Sequence, residues 1–170
     1  MGAGFSTKMK GAYYFFTAGT GILPVLDLFD ALLRKYMYQV MKSQCSHFDT
    51  VAVNPFQDDL EGLVDNEVSL TLFASFAKAE EFLGADIVIN LVKFSQMVSK
   101  GGVKAYLRLK DGAKIAGLES VSRKFDSSTL KTRIPNNGRR YFVCGSPTFN
   151  VEVPNSLAEI GVPVDKIELL

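Results

Sequence analysis

An apolar run, Tyr13-Tyr14-Phe15-Phe16-Thr17-Ala18, ends abruptly at Gly19-Thr20-Gly21 and passes through Ile22-Leu23-Pro24 into an amphipathic stretch. A run without apolar/polar alternation asks for a strand covered on both faces, which is the condition of a central strand in a parallel sheet. The glycine turn presents bare backbone N–H groups. With a helix N-terminus behind them, these groups form a site for an anion such as the pyrophosphate of a dinucleotide. Pro24 suits the first helical turn, where its missing N–H costs nothing. Taken alone, Gly-x-Gly at such a junction is equally a steric solution to a short turn.

A second stretch repeats the arrangement. Tyr141-Phe142-Val143 runs into Cys144-Gly145-Ser146-Pro147, again an apolar strand ending in a glycine turn that leads toward a helix. Between the two, Val25, Leu28, Phe29, Leu32, Leu33 and Tyr36 recur at helical spacing, with Asp30 and Arg34 as an outward pair, and the pattern extends through Met41. Gln44 to Glu67 is an irregular insertion, longer than a strand-helix-strand unit needs. Val68 to Ser75 reads as a second strand, and Ile87, Leu91, Phe94 and Val98 as a second helix stopped by Gly101-Gly102.

In the third strand Val103, Ala105, Leu107 and Leu109 point one way, and Lys104, Tyr106, Arg108 and Lys110 the other, so one face is wet and the strand belongs at an edge. Lys166 to Leu170 supplies a terminal strand behind Gly161-Val162-Pro163. The pattern predicts an α/β fold: a three-layer, five-stranded parallel sheet in the order 3-2-1-4-5 with flanking helices. Both glycine turns then fall at the carboxyl ends of strands one and four, where the strand order reverses and ligands bind.

Together the two motifs carry a resemblance. Gly19-Thr20-Gly21-x-x-Pro24 after the first strand and Cys144-Gly145-x-Pro147 after the fourth are similar to the signatures of the nicotinamide-dinucleotide domain in the ferredoxin reductase and cytochrome b5 reductase family of flavoproteins. The resemblance covers nearly the whole chain, with residues 1–12 as an N-terminal arm or linker remnant and 13–170 as the dinucleotide-binding-like domain carrying the 44–67 insertion. It implies NAD or NADP as ligand, with Gly19, Thr20, Gly21 and Pro24 on the phosphate side and Cys144, Gly145, Ser146 and Pro147 on the nicotinamide side. Cys144 would touch the nicotinamide ring and shape hydride geometry without acting as a nucleophile. The family holds FAD mainly in a separate barrel domain, and its Arg-x-Tyr-Ser/Thr signature is absent from this sequence. FAD is therefore expected only from a partner chain, which would cover the face the barrel normally occupies.

Two positions depart from the family pattern. Ala18 stands where a first glycine is common, and Pro154 falls within the expected last helix, which predicts a later helix start and a loop from Ser146 to Val153. For the 2′-phosphate of NADPH, Lys78 is the cation nearest the end of the second strand, while Arg123, Lys124, Lys131 and Arg133 read as a solvated face.

Composition narrows the remaining classes. The 170 residues are 47% hydrophobic, enough for a buried core, and a net charge of +1 gives no field that would draw nucleic acid. Cys45 and Cys144 are the only thiols, which points to a reducing compartment and no disulfide framework. The sole histidine, His47, and the carboxylates Asp58, Asp59 and Glu61 read as insertion-loop residues, so no metal site is expected. No apolar run approaches the roughly 20 residues that span a bilayer.

Met1-Gly2-Ala3-Gly4-Phe5-Ser6 fits N-myristoylation at Gly2, with Lys8 and Lys10 nearby to favour anionic lipid; it also fits a linker remnant. The expected setting is intracellular, cytoplasmic or mitochondrial, with membrane contact if Gly2 is lipidated. Two functions follow: an NAD(P)H-binding module of a flavoprotein-type oxidoreductase, inactive alone and working within a larger assembly, or a non-catalytic accessory subunit that keeps the oxidoreductase fold.

Overall fold

The computed structural model describes residues 11–44, 68–99, 102–135 and 138–170. The expectations placed on Gly2, Lys8 and Lys10, on Cys45 and His47, and on Asp58, Asp59 and Glu61 lie outside these residues. Ten elements define the architecture: β1 (Gly11–Ala18), α1 (Leu23–Gln44), β2 (Val68–Phe76), α2 (Ala85–Ser99), β3 (Val103–Leu109), β4 (Glu119–Ser120), α3 (Ser127–Lys131), β5 (Arg140–Cys144), α4 (Phe149–Glu159) and β6 (Ile167–Leu169). The strands form one sheet in the order β4-β3-β2-β1-β5-β6, and every pairing is parallel.

The sheet is the expected one with a strand added. Leaving out β4 gives the predicted 3-2-1-4-5 order, while β4 itself pairs with Tyr106 and Leu107 of β3 and displaces β3 from the edge. Two residues are too short to leave a periodic trace in sequence, which is why β4 was not foreseen.

Strand β1 is central because both of its faces are apolar. Tyr13 and Phe15 pack with Phe29 and Leu32 of α1 and with Val88 and Leu91 of α2, while Tyr14 and Phe16 pack on the opposite face with Leu130, Val153 and Leu157. Burying each such side chain contributes about 1.5–3 kcal/mol. On the second face the register sets aromatic rings directly opposite one another: Tyr14 on Tyr141 at 5.0 Å, Phe16 on Phe73 at 4.8 Å, and Phe73 on Tyr106 at 4.9 Å between centroids. Such cross-strand pairs fix register as well as adding stability.

The wet face of β3 is only partly wet. Lys104 is exposed, but Tyr106 and Arg108 are half-covered, and Arg133 lies over the Tyr106 ring at 5.5 Å. The covering segment contains α3, which begins at Asp126: its carboxylate accepts the Thr129 N–H at 2.8 Å and the Ser128 hydroxyl at 2.8 Å. Asp30 and Arg34 form the expected outward pair at 2.6 Å on α1.

Helix α4 corrects the expectation drawn from Pro154. The helix starts at Phe149, its first turn is already formed by Asn150 N–H to Ser146 O at 2.9 Å and Glu152 N–H to Thr148 O at 2.9 Å, and Pro154 lies inside it. An interior proline costs about 3 kcal/mol. Burial of Val153 and Leu157, which flank it on the core face, offsets a loss of that size.

Candidate functional site

The carboxyl ends of β1, β2, β3 and β5 open into a cleft of about 1020 Å³. On one side β1 ends at Ala18, and the chain turns through a 3-10 turn, Gly19–Ile22, into α1. Gly19 takes φ +56°, a left-handed conformation that costs other L-residues about 1–2 kcal/mol. Ala18 offers no side-chain cap to the N–H groups that follow. Those groups, on Thr20 and Gly21 at the cleft wall, are the orphan donors of a helix start and suit an anion. Pro24 lines the same wall.

The second turn meets the first. A Cβ built on Gly21 would lie 2.5 Å from the carbonyl carbon of Cys144 and 2.9 Å from the amide nitrogen of Gly145. Only glycine lets these backbones approach so closely. Gly145 is tight as well, since a Cβ there would fall 2.7 Å from the Phe149 ring and 3.0 Å from Ala18 Cβ. Ala18, which departs from the family pattern, is thus in contact distance of the second turn. Cys144, Gly145 and Ser146 line the cleft, and the Phe149 N–H donates to Ser146 Oγ at 3.3 Å. Pro147 is exposed and stands outside the cleft lining, at the start of α4.

Cys144 presents a neutral thiol. Burial pushes its pKa up, and its Sγ donates to the Leu170 carbonyl at 3.4 Å. Burial of this kind favours the thiol over the thiolate.

The third wall was not foreseen. Arg108, at the end of β3, donates from Nη1 to Ser75 Oγ of β2 at 3.2 Å, and its Nε is buried without a partner. Lys110 follows it into the cleft, and Lys124 enters from the segment before α3, pairing with Glu152 of α4 at 3.4 Å. Both partners of that pair are more than half exposed, so it contributes little. Lys78, expected as the cation near the end of β2, is exposed and does not line the cleft; Arg123, Lys131 and Arg133 do not line it either. Alternation in β3 placed Arg108 on a polar face, but only the register of Ser75 with Arg108 brings it to this wall. Glu81 is present too, and its carboxylate accepts the Ala77 N–H at 3.3 Å. Among the described residues no group of three or more His, Cys, Asp or Glu side chains could hold a metal ion, and no helix is long and apolar enough to cross a membrane.

No family model and no curated protein sequence matches the chain. Solved structures do. The chain is similar to the cytochrome b5 reductase domain of Ulva prolifera nitrate reductase, with 15% identity and a TM-score of 0.61, over 95% of this chain and 49% of that one. It is similar to the flavohemoglobin of Malassezia yamatoensis, solved with bound FAD and heme, with 19% identity and a TM-score of 0.58, over 95% of this chain and 31% of that one. A third is the flavohem-like FAD/NAD-binding domain of nitric oxide dioxygenase from Vibrio cholerae O1 biovar El Tor, with 14% identity and a TM-score of 0.60, over all of this chain and 54% of that one. The chain therefore spans about half, or less, of each structure it matches, and what it shares with them is the fold.

Proposed function

We propose that this chain is the NAD(P)H-binding module of a flavoprotein-type oxidoreductase, with the flavin carried on a separate domain or partner chain. The observation that carries the proposal is the meeting of Gly21 with Cys144 and Gly145 at the floor of a cleft large enough for a dinucleotide. Bound there, a reduced nicotinamide supplies a hydride to an acceptor. The chain's own residues bind and orient. The N–H groups of Thr20 and Gly21 take a phosphate, and Cys144 and Gly145 border the ring side. Arg108, with its free Nε, is the residue type that meets a 2′-phosphate where an acid would meet a ribose diol, which favours NADPH. FAD bound to a partner supports turnover that the chain does not perform alone.

Calorimetric titration of the full chain with NADPH and NADH tests this reading. Saturable binding, a rise in melting temperature with ligand, and loss of both in Gly21→Val are expected, since a ligand that binds only the native state stabilises it by mass action. No binding and no thermal shift at millimolar dinucleotide would overturn the module reading in favour of a non-catalytic accessory subunit.

A further inference from the structure

At the other end of the sheet, a second cavity of about 360 Å³ opens on the face that carries the aromatic ladder. β1 contributes Tyr14, β2 contributes Ser69 and Thr71, β3 contributes Lys104 and Tyr106, and the segment after α3 contributes Arg133. The parallel register makes these neighbours, with Tyr14 opposite Thr71 and Thr71 opposite Lys104. Among the described residues its polar lining consists of two cations and four hydroxyls, with no carboxylate.

The pairing of these groups is incomplete. Arg133 spends Nη1 on the Thr129 carbonyl at 3.1 Å and the Thr132 hydroxyl at 3.2 Å, and its Nη2 stands 4.0 Å from Glu119. Its Nε is buried and has no partner. Among the described residues, the Tyr14, Thr71 and Tyr106 hydroxyls and the Lys104 ammonium make no hydrogen bond to the protein. Burial pushes the Tyr14 phenol up to about 12 and raises Tyr106 as well, so both remain protonated donors at neutral pH. A concave site with a surplus of donors, two of them on cations, is matched by an acceptor-rich negative group. Its apolar lining, Ala12 and Pro135, gives the rest of a ligand somewhere to rest. The volume exceeds that of a bare inorganic ion and falls at the low end of the roughly 300–1,000 Å³ range of small-molecule sites.

We infer that this cavity is a second ligand site, separate from the dinucleotide cleft, which takes a small organic oxyanion with its negative group between Lys104 and Arg133. Its position at the amino ends of the strands sets it apart from the switch-point crevice, so the two sites can fill independently.

Titration of the isotope-labelled full chain with phenyl phosphate, followed by amide NMR shifts, tests the inference, with phenol and inorganic phosphate as controls. Saturable shifts centred on Thr71, Lys104 and Tyr106 are expected with phenyl phosphate, weaker ones with inorganic phosphate, and none with phenol. Lys104→Ala alters an exposed side chain, and Tyr14→Phe keeps the ring stack. Each should weaken phenyl phosphate binding about tenfold, the size of one charge-assisted hydrogen bond, and leave the melting temperature near that of the parent. Shifts confined to Gly19–Gly21, equal binding by parent and both variants, or no saturation below about 10 mM would each overturn it.

Discussion

Gly21 and Cys144 touch through their main chains: nothing larger than hydrogen fits between the Gly21 Cα and the Cys144 carbonyl. The two strand ends that frame the cleft are thereby locked at one spacing. Gly19, two residues earlier, would bring a Cβ within 4 Å of nothing beyond its chain neighbours among the described residues, but it holds φ +56°. The two glycines are required for different reasons. Gly19→Ala should cost about 1–2 kcal/mol through backbone strain and leave dinucleotide binding largely intact. Gly21→Ala should cost more and abolish binding, because its Cβ meets backbone that cannot rotate away. Denaturant midpoints paired with binding titrations separate the two.

Arg108→Ala should lower NADPH affinity by about tenfold or more, the value of a charge-assisted contact, and leave NADH affinity within about twofold. Titration with 2′,5′-ADP provides a readout that needs no nicotinamide. Equal losses for both dinucleotides would place Arg108 in support of Ser75 and not of a phosphate.

Cys144 should alkylate slowly with iodoacetamide at neutral pH, with the rate rising only above the ordinary cysteine range, because burial favours the thiol over the thiolate. A rate profile with its midpoint below pH 8 would contradict the neutral-thiol assignment.

Alkaline stability should depend on Tyr14. Its pKa rises from an ordinary 10.0 to about 12 on folding, so the folded state holds its proton more tightly. The fold carries no cost from this group below pH 10 and loses stability as pH climbs toward 12, where the buried phenolate is penalised. Tyr14→Phe should flatten the fall in unfolding free energy across that window, measured by urea titration at stepped pH.

Asp126 works in the opposite direction. Its pKa is lowered chiefly by the Thr129 N–H, with the Ser128 hydroxyl adding to it, so its capping contribution is present above the unfolded carboxylate pKa and is lost as pH falls through the lower folded value. Asp126→Ala should cost about 1 kcal/mol near neutrality and much less in acid.

Strands and helices with long apolar patterns were legible in the sequence because burial imposes a period. The unbroken run from Tyr13 to Ala18 requires two covered faces, and the spacing from Val25 to Tyr36 requires one. The two glycine turns were legible as strand ends for the same reason, since strands covered on both faces belong in the interior of the sheet, where β1 and β5 pair. What stayed hidden depends on facts that no local pattern encodes. β4 is held by a hydrogen bond from Val121 N–H to Leu107 O at 2.8 Å and has no periodicity of its own. α3 had a signal that could have found it, Asp126 three residues before Thr129, but five residues are too few for a helical stripe. Pro154 argued against a helix that packing overrides, and Arg108 joined the cleft only through pairing with a strand more than thirty residues away.

The central place of β1 also sets a schedule for synthesis. Tyr13 pairs with Leu70 on one side and with Arg140 on the other, so β1 completes its pairing only after the chain through β5 has followed. At about 5–20 residues per second that interval is on the order of ten seconds. Throughout it Tyr14 and Phe16 lack the cover that Tyr141, Val153 and Leu157 supply. Slowed elongation between β2 and β5 would lengthen the period in which these aromatic segments can aggregate.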